Sequence, residues 1–302
     1  MLLKDINIRV QKVSDNLTHN EKLELFLIRL DEIHPIISGN KLFKLHYFLE
    51  EAKQLGATHL KTFGGAYSNH LVATAYACKL LKMPCTGIVR GEMPALLSPT
   101  LNSCMEYGMQ LIFITREQFG VQKLQYGLET ISDNEKNYYI PEGGYHPLGA
   151  AGAALMYSFV PPNSTHIVTA SGTATTLAGI IKAAQKHQTV VGVPVLKGMD
   201  DMDDRIQFLL NNHPFQCSVS IQNNFHYGGY AKHPPNLIAS MNAIYTQTAI
   251  PTDIVYTGKM LSATLALIEQ NYFPIGSKIA CLHTGGLQGN CSLPAGTLLF
   301  SN

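Results

Sequence analysis

The chain has 302 residues, 46% of them hydrophobic, with a formal net charge of +1. That is enough for a sizeable core in one large domain or two smaller ones, and a near-neutral balance without a Lys/Arg block argues against nucleic-acid binding by general electrostatics. No stretch approaches the ~20 apolar residues of a membrane span, and the opening MLLKDINIRVQK lacks a signal-peptide core, so a soluble, cytoplasmic protein with no membrane partner is expected.

In chain order, LELFLIRL (23–30) reads as a strand and LFKLHYFLEEAKQLG (42–56) as a helix. HLKTFG (59–64), NHLVATAYACKLLK (69–82), CTGIVR (85–90), LNSCMEYG (101–108), QLIFIT (110–115) and VQKLQYGLETIS (121–132) continue the alternation, and NYYIP (137–141) adds a strand. PEGGYHPLGAAG (141–152) is the best interior boundary, running into a helix at 149–159. Strands are then predicted at 165–170, 189–196 and 278–284, with helices at 175–186, 202–212, 235–247 and 259–270 between and after them. This alternation predicts an α/β protein with mostly parallel sheets. The six cysteines, Cys78, Cys85, Cys104, Cys217, Cys281 and Cys291, are scattered without a C-x-x-C pair and read as free thiols. A charged fraction of only 14% fits an oligomer that hides part of its surface.

In parallel α/β sheets ligands gather at the carboxyl ends of strands, so the loops after strands carry the search. SGNKLFK (38–44) offers Gly39 for a tight bend and Asn40 as a helix cap, which puts Lys41 in the first turn. The positive end of the helix dipole disfavours an ammonium there, and Lys44 one turn on lowers the amine pKa further. The bland alternative is a helix start with two solvated lysines. GGAYSNH (64–70) places Ser68 and Asn69 at a helix N-terminus that attracts a carboxylate, or that is simply capped; His70 has no visible acid partner. TASGTATTLAG (169–179) has the strand–turn–helix setting of a phosphate cradle but neither a Walker ending nor G-x-G-x-x-G, which favours a phosphate ligand smaller than ATP or NAD. FHYGGY (225–230) and VYTGK (255–259) bring tyrosines that can line a pocket or merely pack.

Together these stretches resemble the pyridoxal-5′-phosphate (PLP) enzymes grouped as 1-aminocyclopropane-1-carboxylate (ACC) deaminase and D-cysteine desulfhydrase. The resemblance runs from about Leu23 to the last strand and rests on five ordered motifs: SGNK-x-x-K, GG-x-x-SNH, HPLG-x-x-G, G-x-x-x-T-L-A-G and YTGK. It implies the tryptophan-synthase-β-like fold, called fold type II: two lobes of three layers with parallel sheets. Residues 51–149 would form the small lobe, and residues 1–50 with 150–302 the large, PLP-binding one. It implies that Lys41 holds PLP covalently and moves the substrate's α proton, with Lys44 near the phosphate and Asn69 beside the ring hydroxyl. Thr173, Ala174, Thr175 and Thr176 would surround the phosphate. Ser68, Asn69 and His70 would meet the substrate, Tyr230 and Tyr256 would line the pocket, and Thr257 would partner the pyridine nitrogen. Family members are commonly homodimers.

Three departures from the family pattern stand out: Leu30 interrupts the basic–acidic run before the lysine loop, Phe43 stands where Arg is frequent, and Ala174 and Thr175 replace glycines. ACC deaminases place an acid where this chain has Thr257, and a carboxylate there strengthens the electron sink. Threonine therefore favours α,β-elimination from a small amino acid, D-cysteine yielding pyruvate, sulfide and ammonia, over opening of a cyclopropane ring. Competing readings are ACC deaminase itself, a cysteine-synthase-like or dehydratase enzyme whose Ser/Asn loop reads differently, and a PLP-binding protein impaired in catalysis. A metal site is not expected, since His226, His233 and His283 lack ligand spacing.

Overall fold

The aliphatic and β-branched runs become the strands of two sheets in a computed structural model that describes residues 3, 6–13, 15–18, 22–126 and 136–300. The strands are β1 (Val10–Lys12), β2 (Glu24–Ile28), β3 (His59–Gly64), β4 (Cys85–Arg90), β5 (Met109–Ile114), β6 (Asn137–Ile140), β7 (His166–Ser171), β8 (Thr189–Pro194), β9 (Ser218–Ile221) and β10 (Lys278–Leu282). One sheet has the order β1-β2-β10-β7-β8-β9 and the other β5-β4-β3-β6. All pairings are parallel except β1 with β2. The non-sequential neighbours require crossover helices, which cover the faces of a parallel sheet.

Side-chain alternation shows the three layers of the larger sheet. Ile279, Cys281, Val168, Val191 and Val193 face one core, which also takes Met260, Leu261 and Leu267 from the helix Thr257–Glu269. Ala280, Leu282, Ile167 and Val190 face the other, with Phe43, Leu45 and Phe48 of the helix Asn40–Gln54 and Leu177, Ile180 and Ile181 of the helix Thr175–Ala183. The helix Asn40–Gln54 packs closely on Pro147–Ala154 because Gly152 lacks a side chain: a Cβ there would lie 2.1 Å from the Phe43 carbonyl oxygen. This contact fixes the first turn of the helix that carries Lys41.

The eight predicted strands all form, and two more, β1 and β9, escaped the reading. Both are short, polar and at sheet edges, where hydrophobic alternation is weakest. The helix predicted over 121–132 is observed as Arg116–Tyr126, and its remainder lies outside the described residues. Among the described residues no helix is long and apolar enough to cross a membrane.

Candidate active site

Four loops meet around one cleft of about 360 Å³: three run from strand to helix, and the fourth pairs the 225–230 turn with the helix-to-helix link at 255–256. The lysine turn is built first. Gly39 adopts φ 65°, and a Cβ there would fall 1.6 Å from the Thr284 carbonyl oxygen. Only glycine permits both that conformation and that approach. The Asn40 N–H donates to the same carbonyl (3.1 Å), and the Gly286 N–H donates to Ser38 Oγ (3.2 Å). The SGNK turn is thus laced to the HTGG segment that follows β10. Behind it, buried Arg29 pairs with Asp31 (2.6 Å) and Glu32 (2.9 Å), and His283 lies 3.1 Å from Asp31. Leu30, fully buried between these charges, therefore leaves the ion pairs of that run in place.

Lys41 reaches into the cleft and donates to Asn40 Oδ1 at 2.7 Å, with its Nζ 5.9 Å from the Tyr256 ring centre. Burial lowers its pKa to about 8, against a smaller upward pull from the Asp253 charge. Asn40 in turn donates from Nδ2 to Thr176 Oγ1 (2.8 Å), linking the lysine turn to the next loop. Lys44 is buried and donates to the Gly143 carbonyl (3.2 Å). Burial first, and the Lys41 cation second, hold it well below an ordinary lysine.

The third loop is the candidate phosphate cradle. Ala174 takes a left-handed φ of 65° immediately before the helix Thr175–Ala183, and Thr173 and Thr175 share a hydroxyl–hydroxyl hydrogen bond of 2.9 Å. Free N–H groups at that helix start, two hydroxyls and the Lys44 side chain line the same part of the cleft. Opposite, Ser68 caps the helix Asn69–Leu81 by accepting from the Leu71 N–H (3.2 Å). Asn69 donates to the Gly286 carbonyl (3.2 Å), but its buried Oδ1 has no partner. His70 bonds through Nε2 to Thr62 Oγ1 (3.0 Å), and burial, then the charges of Lys41 and Lys44, lower its pKa to about 3. It is a neutral wall of the cleft.

Tyr256 and Tyr230 close the cleft edge to face, their ring centres 6.5 Å apart at 77°. Burial raises the Tyr256 phenol well above its ordinary pKa, so it holds its proton at neutral pH. Thr257 does not face the cleft. Its hydroxyl donates to Asp253 Oδ1 (2.8 Å) and accepts from the Asp253 N–H (2.8 Å), in the buried start of its helix. Thr257, expected beside a ring nitrogen, thus directs its hydroxyl at Asp253 and away from the cleft. Asp253 also accepts from the N–H groups of Val255, Tyr256 and Thr257, and its carboxylate is spent on that cap.

The sequence reading missed Thr284, which lines the cleft from the end of β10, and Arg90, whose guanidinium lies 5.7 Å from the Phe119 ring at the rim. The strand-ending HTGG was the available signal for Thr284. Among the described residues Glu142 is the one carboxylate that lines the cleft, and it is paired with Lys123 at 2.7 Å. Among the described residues no three His, Cys, Asp or Glu side chains are grouped to hold a metal ion.

These residues fit a ring that carries a phosphate and a hydroxyl. The cradle supplies N–H groups, hydroxyls and a buried amine for the anion, and the orphaned Asn69 Oδ1 awaits a donor. Residues 9–285 match the family described as pyridoxal-phosphate dependent enzyme. The chain belongs to that family. Its cofactor is accordingly pyridoxal phosphate. Among its relatives, a "putative 1-aminocyclopropane-1-carboxylate deaminase" of Pyrococcus horikoshii is 26% identical, over 91% of this chain and 88% of that protein. The "bifunctional D-cysteine desulfhydrase/1-aminocyclopropane-1-carboxylate deaminase, mitochondrial" of Arabidopsis thaliana is 30% identical, over 88% of this chain and 73% of its own. A solved ACC deaminase homologue has the same fold, with a TM-score of 0.77, 24% identity and coverage of 96% and 94% of the two chains.

Proposed function

We propose that this PLP-dependent enzyme catalyses α,β-elimination from a small amino acid, with D-cysteine and water giving pyruvate, hydrogen sulfide and ammonia. The observation that carries the reading is the convergence of one depressed-pKa lysine, one protonated tyrosine and one helix-start anion cradle on a single cleft. The names of the relatives support both D-cysteine and ACC as substrates.

When bound, pyridoxal phosphate supplies an electron sink that acidifies the substrate's Cα–H. Lys41 would attach the cofactor, and its free amine would take the Cα proton; burial that lowers its pKa to about 8 leaves a usable fraction unprotonated at neutral pH. Thr173, Ala174, Thr175 and Thr176, with Lys44, would hold the phosphate, and the unpartnered Asn69 Oδ1 would accept from the ring hydroxyl. Ser68 and the N–H groups of its helix orient the substrate carboxylate beside His70. The Tyr256 phenol, backed by Tyr230, donates its proton toward the leaving sulfur. Thr284 is the hydroxyl we assign to the pyridine nitrogen in place of Thr257. A neutral hydroxyl at that nitrogen suits elimination of a good leaving group, and among the described residues no unspent carboxylate lines the cleft to favour ring opening. We further propose that the enzyme is a cytoplasmic homodimer divided into lobes near residues 50 and 150, in line with its low charge fraction and its two sheets.

The test is release of sulfide and pyruvate by purified holoenzyme from D-cysteine, compared with L-cysteine, D-serine and ACC. Production of 2-oxobutyrate from ACC without sulfide release would make it an ACC deaminase. Visible cofactor absorbance that Lys41→Ala abolishes, with no product from any of the four, would make it a binding protein.

A further inference from the structure

The YTGK motif ends in a lysine that the reaction above leaves without a role. Lys259 is completely buried, in the first turn of the helix Thr257–Glu269. Its Nζ donates to three backbone carbonyls: Gly229 at 2.6 Å, His226 at 2.9 Å and Val195, just past β8, at 3.5 Å. Taking an ammonium out of water is costly, and an apolar side chain would fill the same space without that cost. Burial accordingly lowers its pKa to about 8, with Asp253 opposing the shift from a distance. The Asp253 carboxylate is committed to its own helix cap, so carbonyl dipoles do the direct solvating.

Those dipoles belong to an unusual turn. Tyr227, Gly228, Gly229 and Ala231 all have positive φ, at 52°, 91°, 115° and 54°. For Tyr227 and Ala231 that conformation is strained and persists only where the surroundings over-determine it. The turn's own backbone bonds, Gly229 N–H to His226 O (3.0 Å) and Lys232 N–H to Gly229 O (3.1 Å), use the same two carbonyls that Lys259 grips. The ammonium therefore clamps both ends of the loop that presents Tyr230. That ring meets Tyr256, and Tyr256 meets Lys41.

We propose that Lys259 is a positioning residue, a buried cationic clamp that holds the 226–231 turn so that Tyr230 sets the orientation of the Tyr256 phenol. The proposal rests on the catalytic reading of Tyr256 given above. Its first test needs no substrate: amide hydrogen exchange of the holoenzyme, wild type against Lys259→Met. Exchange at 226–231 should quicken by about tenfold or more while the central strands stay protected. The visible cofactor band should remain, since Lys259 touches no cofactor-binding group.

The second test is a double-mutant cycle on D-cysteine elimination with Tyr230→Phe. Lys259→Met should lower kcat by roughly 10²-fold with little change in KM, and should cost almost nothing further in the Tyr230→Phe background. If Lys259→Met fails to fold, Lys259→Gln keeps a donor within the carbonyl cage and should show a smaller rise in exchange at the same segment. Unchanged exchange at 226–231, or losses in kcat that simply multiply, would overturn the clamp. If wild-type enzyme releases no sulfide, the D-cysteine reading fails while the exchange experiment still decides whether Lys259 holds the turn.

Discussion

Replacing Lys41 by Met should make the apoenzyme more stable at neutral pH, although it removes the residue to which we assign the proton transfer. Burial lowers the Lys41 pKa from 10.5 to about 8, a fall of about 2.5, and at ~1.36 kcal/mol per pKa unit this is on the order of 3 kcal/mol held against folding. Met fills similar space without a charge. The hydrogen bond from Lys41 to Asn40 is lost, which takes back about 1 kcal/mol, so a net gain of about 2 kcal/mol is expected. The sign follows from linkage. Between about pH 8 and 10.5 the unfolded chain keeps the Lys41 proton while the folded chain has released it, so wild-type stability climbs with pH across that window. Below about pH 8 both states carry the proton and the full penalty is present. Urea unfolding of both apoproteins at pH 7 and near pH 10.5 should show the Met variant ahead at the lower pH and the gap closing at the higher. A Met variant less stable at pH 7, or a gap that ignores pH, would refute the burial of this amine as the cause of its depressed pKa.

Thr257→Val should leave the visible cofactor band in place and lower stability by about 1–3 kcal/mol, because Asp253 loses a buried donor; Thr284→Val should instead shift the band and cut turnover, both read by absorbance and sulfide release. Ala174→Gly should stabilise the protein by about 1 kcal/mol in denaturant unfolding by relieving a left-handed alanine. Gly39→Ala should lose more than ~2 kcal/mol in denaturant unfolding, since its Cβ would collide with the Thr284 carbonyl at a positive φ.

The strands and helices were legible because they are long, periodic and apolar, and because turn residues punctuate them. The SGNK, SNH and T-L-A-G stretches could be placed at strand ends from the pattern alone, and all four loops do meet in one cleft. What could not be read was the direction of individual side chains. Tyr256 and Thr257 are adjacent, yet one faces the cleft and the other a cap. The reason lies four residues upstream, where Asp253 gathers three N–H groups and the Thr257 hydroxyl. An aspartate just ahead of a helix is a capping signal, and reading DIVYT that way would have turned Thr257 away from the ligand. Thr284 was missed for the opposite reason: its contacts are with Gly39 and Asn40, about 245 residues away in the chain, and no local pattern encodes them.

The same electrostatics link cofactor binding to folding. Lys41 and Lys44 lie on one turn of one helix, the Lys41 charge lowers the affinity of Lys44 for a proton, and both side chains line the cleft beside a helix start that also carries positive potential. Three sources of positive field at one place are unfavourable in the protein alone. A phosphate dianion reverses the sign of every one of these interactions at once. That cost is recovered when the anion binds, so affinity for the cofactor and instability of the apoprotein have a common origin. Removing either lysine should narrow the difference in stability between the two forms, and Lys44, to which we assign the phosphate alone, should isolate the electrostatic share from the covalent one proposed for Lys41.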